Sequence, residues 1–475
     1  MAETINDVQT AYPEELSIFE KPIRNLGVKQ ARCITYYPVN DFSSQGVLQF
    51  RVPNNGRAYL DLRKTRLNVT CKIVRKDGSN LRPPPFTSKK HKTEGSNTEE
   101  KTETDTETAT ETDTKADTED LDGDLCGVVN NFMQSLFSRV DISLQDKILT
   151  NSDDCYPYEA YIKTVLMTSK EEKQGLQSQC YFEEDRDSIE FVNWYFSPKD
   201  SSINMRSKLF QNSREVDLSG HIYSSVMDIP KLIPNGIPLS ITLYPSQDKF
   251  CLLSPMLDPI PEYRVIITKA SLSVCTVDIA PEIAIAHSEI MSDKPAFFSY
   301  NKTEVKKFTL SKGIYSSSIN DPFQGRIPSE LVIGLVKDSA QNGSYGKTPF
   351  LFEHTNLNFI GVTVDGKPMG IDPLQPKYGD KPEDGNYIEA YKTLNGISGS
   401  DKVNPISRLD YPGGFALYRF HEEFDSDDSL LPKRSGNMSI SLRFDKALEN
   451  GMCVIVYATF PGGIKVDKSR AVYEI

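Results

Sequence analysis

Several stretches of the chain carry residue types whose spacing suggests chemistry, and each lacks a part that chemistry needs. Gly343-Ser344-Tyr345-Gly346-Lys347-Thr348 ends like a phosphate-binding loop and follows the apolar run Leu331 to Val336. Such a loop holds phosphate with free backbone amides, which requires an earlier glycine and a helix opening at the Lys-Thr pair. Gln341 stands where that glycine should be, and Pro349-Phe350-Leu351-Phe352 predicts extended chain instead of helix. The histidines, at 91, 221, 287, 354 and 421, have no metal-ligand spacing and form no H-E-x-x-H pattern. Gly396-Ile397-Ser398-Gly399 has the wrong glycine spacing for a nucleophile elbow. Glu422, Glu423, Asp425, Asp427 and Asp428 read as a solvated loop rather than a glycosidase pair, although an acid and base drawn from distant strands would leave no mark in local spacing. Asp120-Leu121-Asp122-Gly123-Asp124 hints at a calcium loop, but Asn131 occupies the position of the bidentate glutamate and the glycine is misplaced. The expectation is a protein that is not an enzyme, with no cofactor and no metal.

Stepping along the chain, the elements that would position any site are strands. Leu67, Val69, Cys71 and Ile73 alternate with Asn68, Thr70 and Lys72, the period of two that marks a half-buried strand. Met438, Ile440, Leu442 and Phe444 alternate in the same way, and Asp365-Gly366 predicts a hairpin. Helical spacing is confined to the middle of the first half. Phe132/Leu136 and Met133/Phe137 are four apart, and Tyr158, Tyr161, Ile162, Val165 and Leu166 form a stripe with Pro157 suited to the first turn. Ser169-Lys170-Glu171-Glu172 predicts a capping box.

Three strand sequences occur twice, in the same order. Val140–Lys147 is echoed by Ile360–Lys367, Leu239–Leu243 by Met438–Leu442, and Val265–Thr268 by Val454–Tyr457. Together they argue for a duplicated β-domain. The expected class is all-β, two tandem sandwiches with a few short helices.

Of the net charge of −12, residues 93–124 hold thirteen acids and two lysines, so the remainder is close to neutral. A balanced body lacks the basic excess of a dedicated nucleic-acid binder. It also permits self-association. The Thr/Glu/Asp tract has nothing to bury and predicts a disordered insert over 88–124. Residues 1–26 predict an arm, and Met1 to Glu20 lacks the apolar segment of a secretory signal. No apolar run approaches the roughly 20 residues that span a bilayer, so no membrane insertion is expected. The cysteines, at 33, 71, 126, 155, 180, 251, 275 and 453, contain no CxxC pair. Several, including Cys71, Cys275 and Cys453, lie in apolar strand patterns, which predicts buried free thiols in a reducing compartment. On that reading the Asn-x-Ser/Thr triplets at Asn68, Asn301, Asn342 and Asn437 carry no glycan.

Residues 127–166 carry a more specific signal. Gly127-Val128-Val129-Asn130-Asn131-Phe132, Ser135 to Ile142 and Tyr156-Pro157-Tyr158-Glu159-Ala160-Tyr161-Ile162 resemble the hexon-like major capsid protein of Polinton/Maverick elements and adintoviruses. The resemblance continues at Leu176-Gln177-Ser178-Gln179, Leu331 to Val336, Asn342 to Tyr345, His354 to Phe359, Val362 to Lys367, Pro373-Leu374-Gln375-Pro376 and Val454 to Ala458. It covers most of the chain from about residue 27 and places the Gly346-Lys347-Thr348 decoy inside a shared stretch. The acidic insert is a departure onto which no family role transfers.

What the resemblance implies is a double jelly roll, with a first jelly roll over 27–280 and a second over 281–475. It implies a structural protein whose homotrimer is a pseudo-hexameric capsomer. Neighbouring capsomers and a penton-type minor capsid protein would complete an icosahedral shell around double-stranded DNA. The location would be the virion capsid. Candidate subunit-interface or structural-motif residues are Asn130, Asn131, Phe132, Tyr156, Tyr158, Tyr161, Leu374, Gln375 and Pro376. The alternative is a jelly-roll carbohydrate-binding or carbohydrate-active protein, against which the single tryptophan, Trp194, counts.

Overall fold

The computed structural model describes residues 27–40, 46–54, 56–84, 123–150, 153–255, 262–379, 381, 384–394, 406–421 and 432–475. The arm at 1–26, all of the acidic insert except Gly123 and Asp124, His91, the 396–399 stretch and the carboxylate run 422–428 lie outside them.

The first half contains β1 (Val28–Tyr36), β2 (Leu48–Val52), β3 (Tyr59–Arg75), β4 (Phe137–Leu144), β5 (Val216–Gly220), β6 (Leu239–Pro245) and β7 (Tyr263–Ile279). They pair antiparallel in two sheets, β1-β7-β3-β5 and β2-β6-β4, the latter completed by the short strand Lys147–Ile148. The second half contains β8 (Ala296–Leu310), β9 (Ser316–Asn320), β10 (Glu330–Lys337), β11 (Leu357–Val364), β12 (Leu417–His421), β13 (Met438–Phe444) and β14 (Met452–Val466). Its sheets run β8-β14-β10-β12, with Val472–Glu474 adding a fifth strand on β14, and β9-β13-β11, the latter completed by Lys367–Pro368. Apart from that added strand, the two orders are the same. The echoed sequences occupy equivalent places: β4 with β11, β6 with β13, and β7 with β14.

Alternation sets the faces. In β6, Leu239, Ile241 and Leu243 are buried while Ser240, Thr242 and Tyr244 are only partly so. In β3, Leu67, Val69, Cys71 and Ile73 point into the core. Each such side chain contributes about 1.5–3 kcal/mol of transfer free energy. β14 does not alternate, because nearly every residue from Met452 to Val466 is buried. It is central in its sheet, and its outer face is covered from the first half.

Both halves expand the same connection. Residues 149–215 join the β4 hairpin to β5, and residues 369–416 join the β11 hairpin to β12. The first excursion holds α1 (Tyr156–Met167), with Pro157 in its first turn, and the one-turn helix α2 (Arg186–Ile189). Helix α3 (Pro281–Asp293) links the halves. The predicted capping box is present: the Glu172 amide donates to Ser169 Oγ at 3.3 Å, and the Ser169 amide donates to Glu172 Oε2 at 3.0 Å.

Two expectations are corrected. Cys33 and Cys275 are joined in a disulfide, while the other six cysteines are free and buried. The β1–β7 register sets these two residues opposite each other across 242 positions of sequence, a pairing that local spacing does not reveal. The far end of the acidic insert is also anchored. Asp124 accepts from Arg75 Nε and Nη2 at 2.8 and 2.6 Å and from the Arg82 amide at 2.6 Å. This carboxylate ties the return of the insert to β3.

Candidate functional site

Helix α1 is where the two sandwiches meet. Its stripe of Tyr158, Tyr161, Ile162 and Val165 is buried, and part of that burial comes from the second half of the chain. Tyr161 stacks on Phe350 with ring centroids 4.3 Å apart and planes 9° from parallel. Tyr158 meets Phe350 and Phe250 edge-on, at 5.8 and 6.1 Å. Offset and edge-on contacts of this kind suit the ring quadrupoles and add to area burial.

Polar groups bridge the same seam. Tyr345 Oη accepts from the Tyr263 amide and donates to the Tyr263 carbonyl, both at 3.1 Å. The Ser254 amide donates to the Tyr345 carbonyl at 2.8 Å. Ser225 and Thr303 share a hydroxyl contact of 2.8 Å. On α1, Lys163 sits 3.2 Å from Glu159 and 3.6 Å from Asp228, beside Tyr457 of β14. Burial pulls Lys163 toward neutrality, but Glu159, Tyr457 and Asp228 together outweigh it and hold the ammonium above its ordinary range. Burial raises Glu159 despite that same lysine. Removing one partner from such a group strands the other charge, which is worse than losing both.

No protein-family model matches the chain. It is similar to an uncharacterized protein of Caenorhabditis elegans, 23% identical over 446 residues that cover 91% of this chain and 94% of that one. Among solved structures it is similar to the cryo-EM structure of the Sputnik virophage, with a TM-score of 0.58 and 12% identity over 99% of this chain and 93% of that one. It is also similar to the Faustovirus major capsid protein (TM-score 0.54, 10% identity, 94% and 92% covered). The mavirus major capsid protein gives a TM-score of 0.52 at 11% identity, with 99% and 95% covered. The chain is a double jelly roll.

Within the double jelly roll, the motif residues fall into three groups. Asn130, Asn131 and Phe132 lie inside the first roll. Asn130 donates to the Phe182 carbonyl at 2.6 Å and accepts from the Phe182 amide at 3.0 Å, fastening the 149–215 excursion to the strand layer. Asn131 takes φ +52°, a left-handed conformation that asparagine tolerates, and its carbonyl accepts from the Gln134 and Ser135 amides. Phe132 packs edge-on against Phe210 at 5.0 Å. Tyr156, Tyr158 and Tyr161 form the second group on α1. The Tyr156 hydroxyl donates to Gln134 Oε1 at 2.6 Å and accepts from the Tyr223 amide at 3.2 Å.

Leu374, Gln375 and Pro376 stand apart on the second roll. Leu374 exchanges two backbone hydrogen bonds with Ile360, 2.8 and 3.0 Å, adding a rung beside β11. Of the nine residues only Gln375 is exposed.

The phosphate-loop decoy forms a turn followed by the seam aromatics. Lys347 Nζ donates to Ser339 Oγ at 2.7 Å, and Thr348 and Phe350 are buried with no helix beginning there. The sequence pattern gave no signal for Phe350 or Tyr345 as seam residues. An apolar residue beside Gly-Lys-Thr looks like any strand start, and the aromatic partners of Phe350 lie 100 to 192 positions away.

Proposed function

We infer that this chain is a structural major capsid protein of the hexon-like kind. Three copies would form a pseudo-hexameric capsomer, and capsomers would tile an icosahedral shell around double-stranded DNA. The carrying observation is the end-to-end correspondence with capsid proteins of Faustovirus and mavirus, over 92–95% of their chains and at least 94% of this one. A partial match would leave a single jelly roll, which many unrelated proteins share. Two equivalent rolls locked at the α1 seam supply two of six quasi-equivalent positions. Closed threefold symmetry then supplies the other four.

In this reading the motif residues are structural: Tyr158 and Tyr161 fix one roll against the other, Asn130, Asn131, Phe132 and Tyr156 brace the first roll, and Leu374 to Pro376 brace the second. Contacts between copies fall to the exposed apolar side chains, such as Ile285, Ile290 and Phe297 around the linker helix. A penton-type minor capsid protein would fill the fivefold positions. The Polinton/Maverick and adintovirus lineage is the proposed source, and the animal relative covered over 94% of its length supports an element carried in animal genomes. The virion capsid is the proposed location.

Size-exclusion chromatography with light scattering, followed by negative-stain imaging, tests this. The expected species is three times 53.4 kDa with a hexagonal outline. A stable monomer at micromolar concentration would overturn the capsomer.

A further inference from the structure

The two expanded connections meet at a cleft of about 470 Å³ that the capsid reading does not use. That volume lies within the range of small-ligand sites. One wall is aromatic. His354 stacks on Tyr378 with centroids 4.2 Å apart and planes 13° from parallel, and Tyr378 stacks in turn on Tyr387 at 5.7 Å. The phenols are committed inward: Tyr378 bonds Tyr418 at 2.7 Å, and Tyr387 donates to the Arg408 carbonyl at 3.1 Å. The wall therefore offers mainly ring carbon, plus one imidazole donor. His354 Nδ1 accepts the Asn356 amide at 3.0 Å, which leaves the proton on Nε2. Burial pushes this histidine down to about 4, so it stays neutral near pH 7.

The opposite wall comes from α2. Arg186 is fixed by its amide, which donates to Asp410 Oδ1 at 3.0 Å, and by its stem, which crosses Gly413. A Cβ at Gly413 would lie 2.0 Å from Arg186 Cγ, so the glycine is what lets the arginine lie there. Arg186 Nε contacts Asp187 at 3.3 Å, which leaves the terminal nitrogens without a partner among the described residues. Lys381 lines the cleft with no ion pair among the described residues. Asp187 and Glu190 complete the charged lining.

We propose that this cleft binds a carboxylated sugar, the terminal uronic or sialic residue of a glycan. The guanidinium fork of Arg186 and the Lys381 ammonium take the carboxylate. Asp187 and Glu190 accept hydroxyl protons, His354 Nε2–H donates to a ring or hydroxyl oxygen, and the stacked rings take the C–H face. Two cations against two carboxylates leave no excess positive charge, which disfavours phosphate or sulfate and suits a monoanion rich in hydroxyls. The single tryptophan is buried at 3% exposure, and the platform here is histidine and tyrosine.

The proposal does not depend on the capsomer. A protein that binds sugar as a monomer would keep it, and a trimer that does not would lose it. The test uses the full chain, titrated with methyl glucuronide and with the methyl glycoside of N-acetylneuraminic acid, read by calorimetry and saturation-transfer NMR. Methyl glucoside and inorganic phosphate are the controls. A ligand of about fourteen heavy atoms sits near a Kd of about 1 mM at ordinary ligand efficiency. The expected result is binding of a carboxylated glycoside in that range, methyl glucoside at least about tenfold weaker, and no displacement by phosphate. Arg186→Ala should weaken binding about tenfold with an unchanged melting temperature. If that variant does not fold, Lys381→Gln, at an exposed position, should weaken it about threefold. Equal binding of methyl glucoside, displacement by phosphate, or no saturation of either carboxylated sugar at about 10 mM would overturn the proposal.

Discussion

Replacing Phe350 with alanine should do more than open a cavity, because the ring belongs to one jelly roll and the three aromatic rings it meets belong to the other. Phe350 is fully buried, stacked on Tyr161 at 4.3 Å and edge-on to Tyr158 and Phe250 at 5.8 and 6.0 Å. Truncating a buried phenylalanine costs about 3–5 kcal/mol, of which the stacked pair accounts for about 1. The expected loss is therefore about 4 kcal/mol, a large share of a stability of about 5–15 kcal/mol. The loss should also be uneven. Trp194 is the sole tryptophan and lies buried in the first half, so its fluorescence follows that half while far-UV circular dichroism follows both. In urea the two signals should change together for the native chain and separate for Phe350→Ala. The double mutant with Tyr161→Ala should show a coupling of about 0.5–1.5 kcal/mol. A loss under about 1 kcal/mol, with both signals still coincident, would refute the idea that this stack holds the rolls together.

Two further outcomes follow from single groups. His354 is held at about 4 in the folded chain against an ordinary value of 6.5, so unfolding takes up a proton between those values. Its contribution is fully present above pH 6.5 and is lost as pH falls, about 2–3 kcal/mol by pH 4.5; His354→Gln, followed by urea melts across that range, should flatten this component. Breaking the Cys33–Cys275 link by Cys33→Ser should cost about 2–4 kcal/mol, and peptide mapping without reductant should recover the crosslinked pair from the native chain only.

Much of the strand layer was legible in the sequence, because period-two alternation is a local property. Leu239 to Leu243 and its echo Met438 to Leu442 point their apolar side chains inward as that alternation requires. The stripe on α1 was legible as a buried face, but not the identity of what covers it. Phe350 and Tyr161 belong to different rolls, and nothing near either residue in the chain encodes their meeting. The Cys33–Cys275 pair failed for the same reason: the register of β1 against β7 decides it, and spacing in the chain does not. The cleft was hidden because its aromatic wall is histidine and tyrosine, with the lone tryptophan buried elsewhere. His354 and Tyr378 sit 24 positions apart in turn-rich sequence and become a stack only when the 369–416 connection folds back.

The two long connections leave equivalent corners of the two rolls, and this has an evolutionary consequence. Lengthening a surface loop costs little, about 0.6 kcal/mol per doubling, whereas inserting a residue into β14 would shift its whole ladder. Sequence drift among descendants of this chain should therefore gather at the corner where residues 149–215 and 369–416 touch. A change in either connection alone reshapes what they enclose together, so the cleft can be retuned while the strands of both rolls stay fixed.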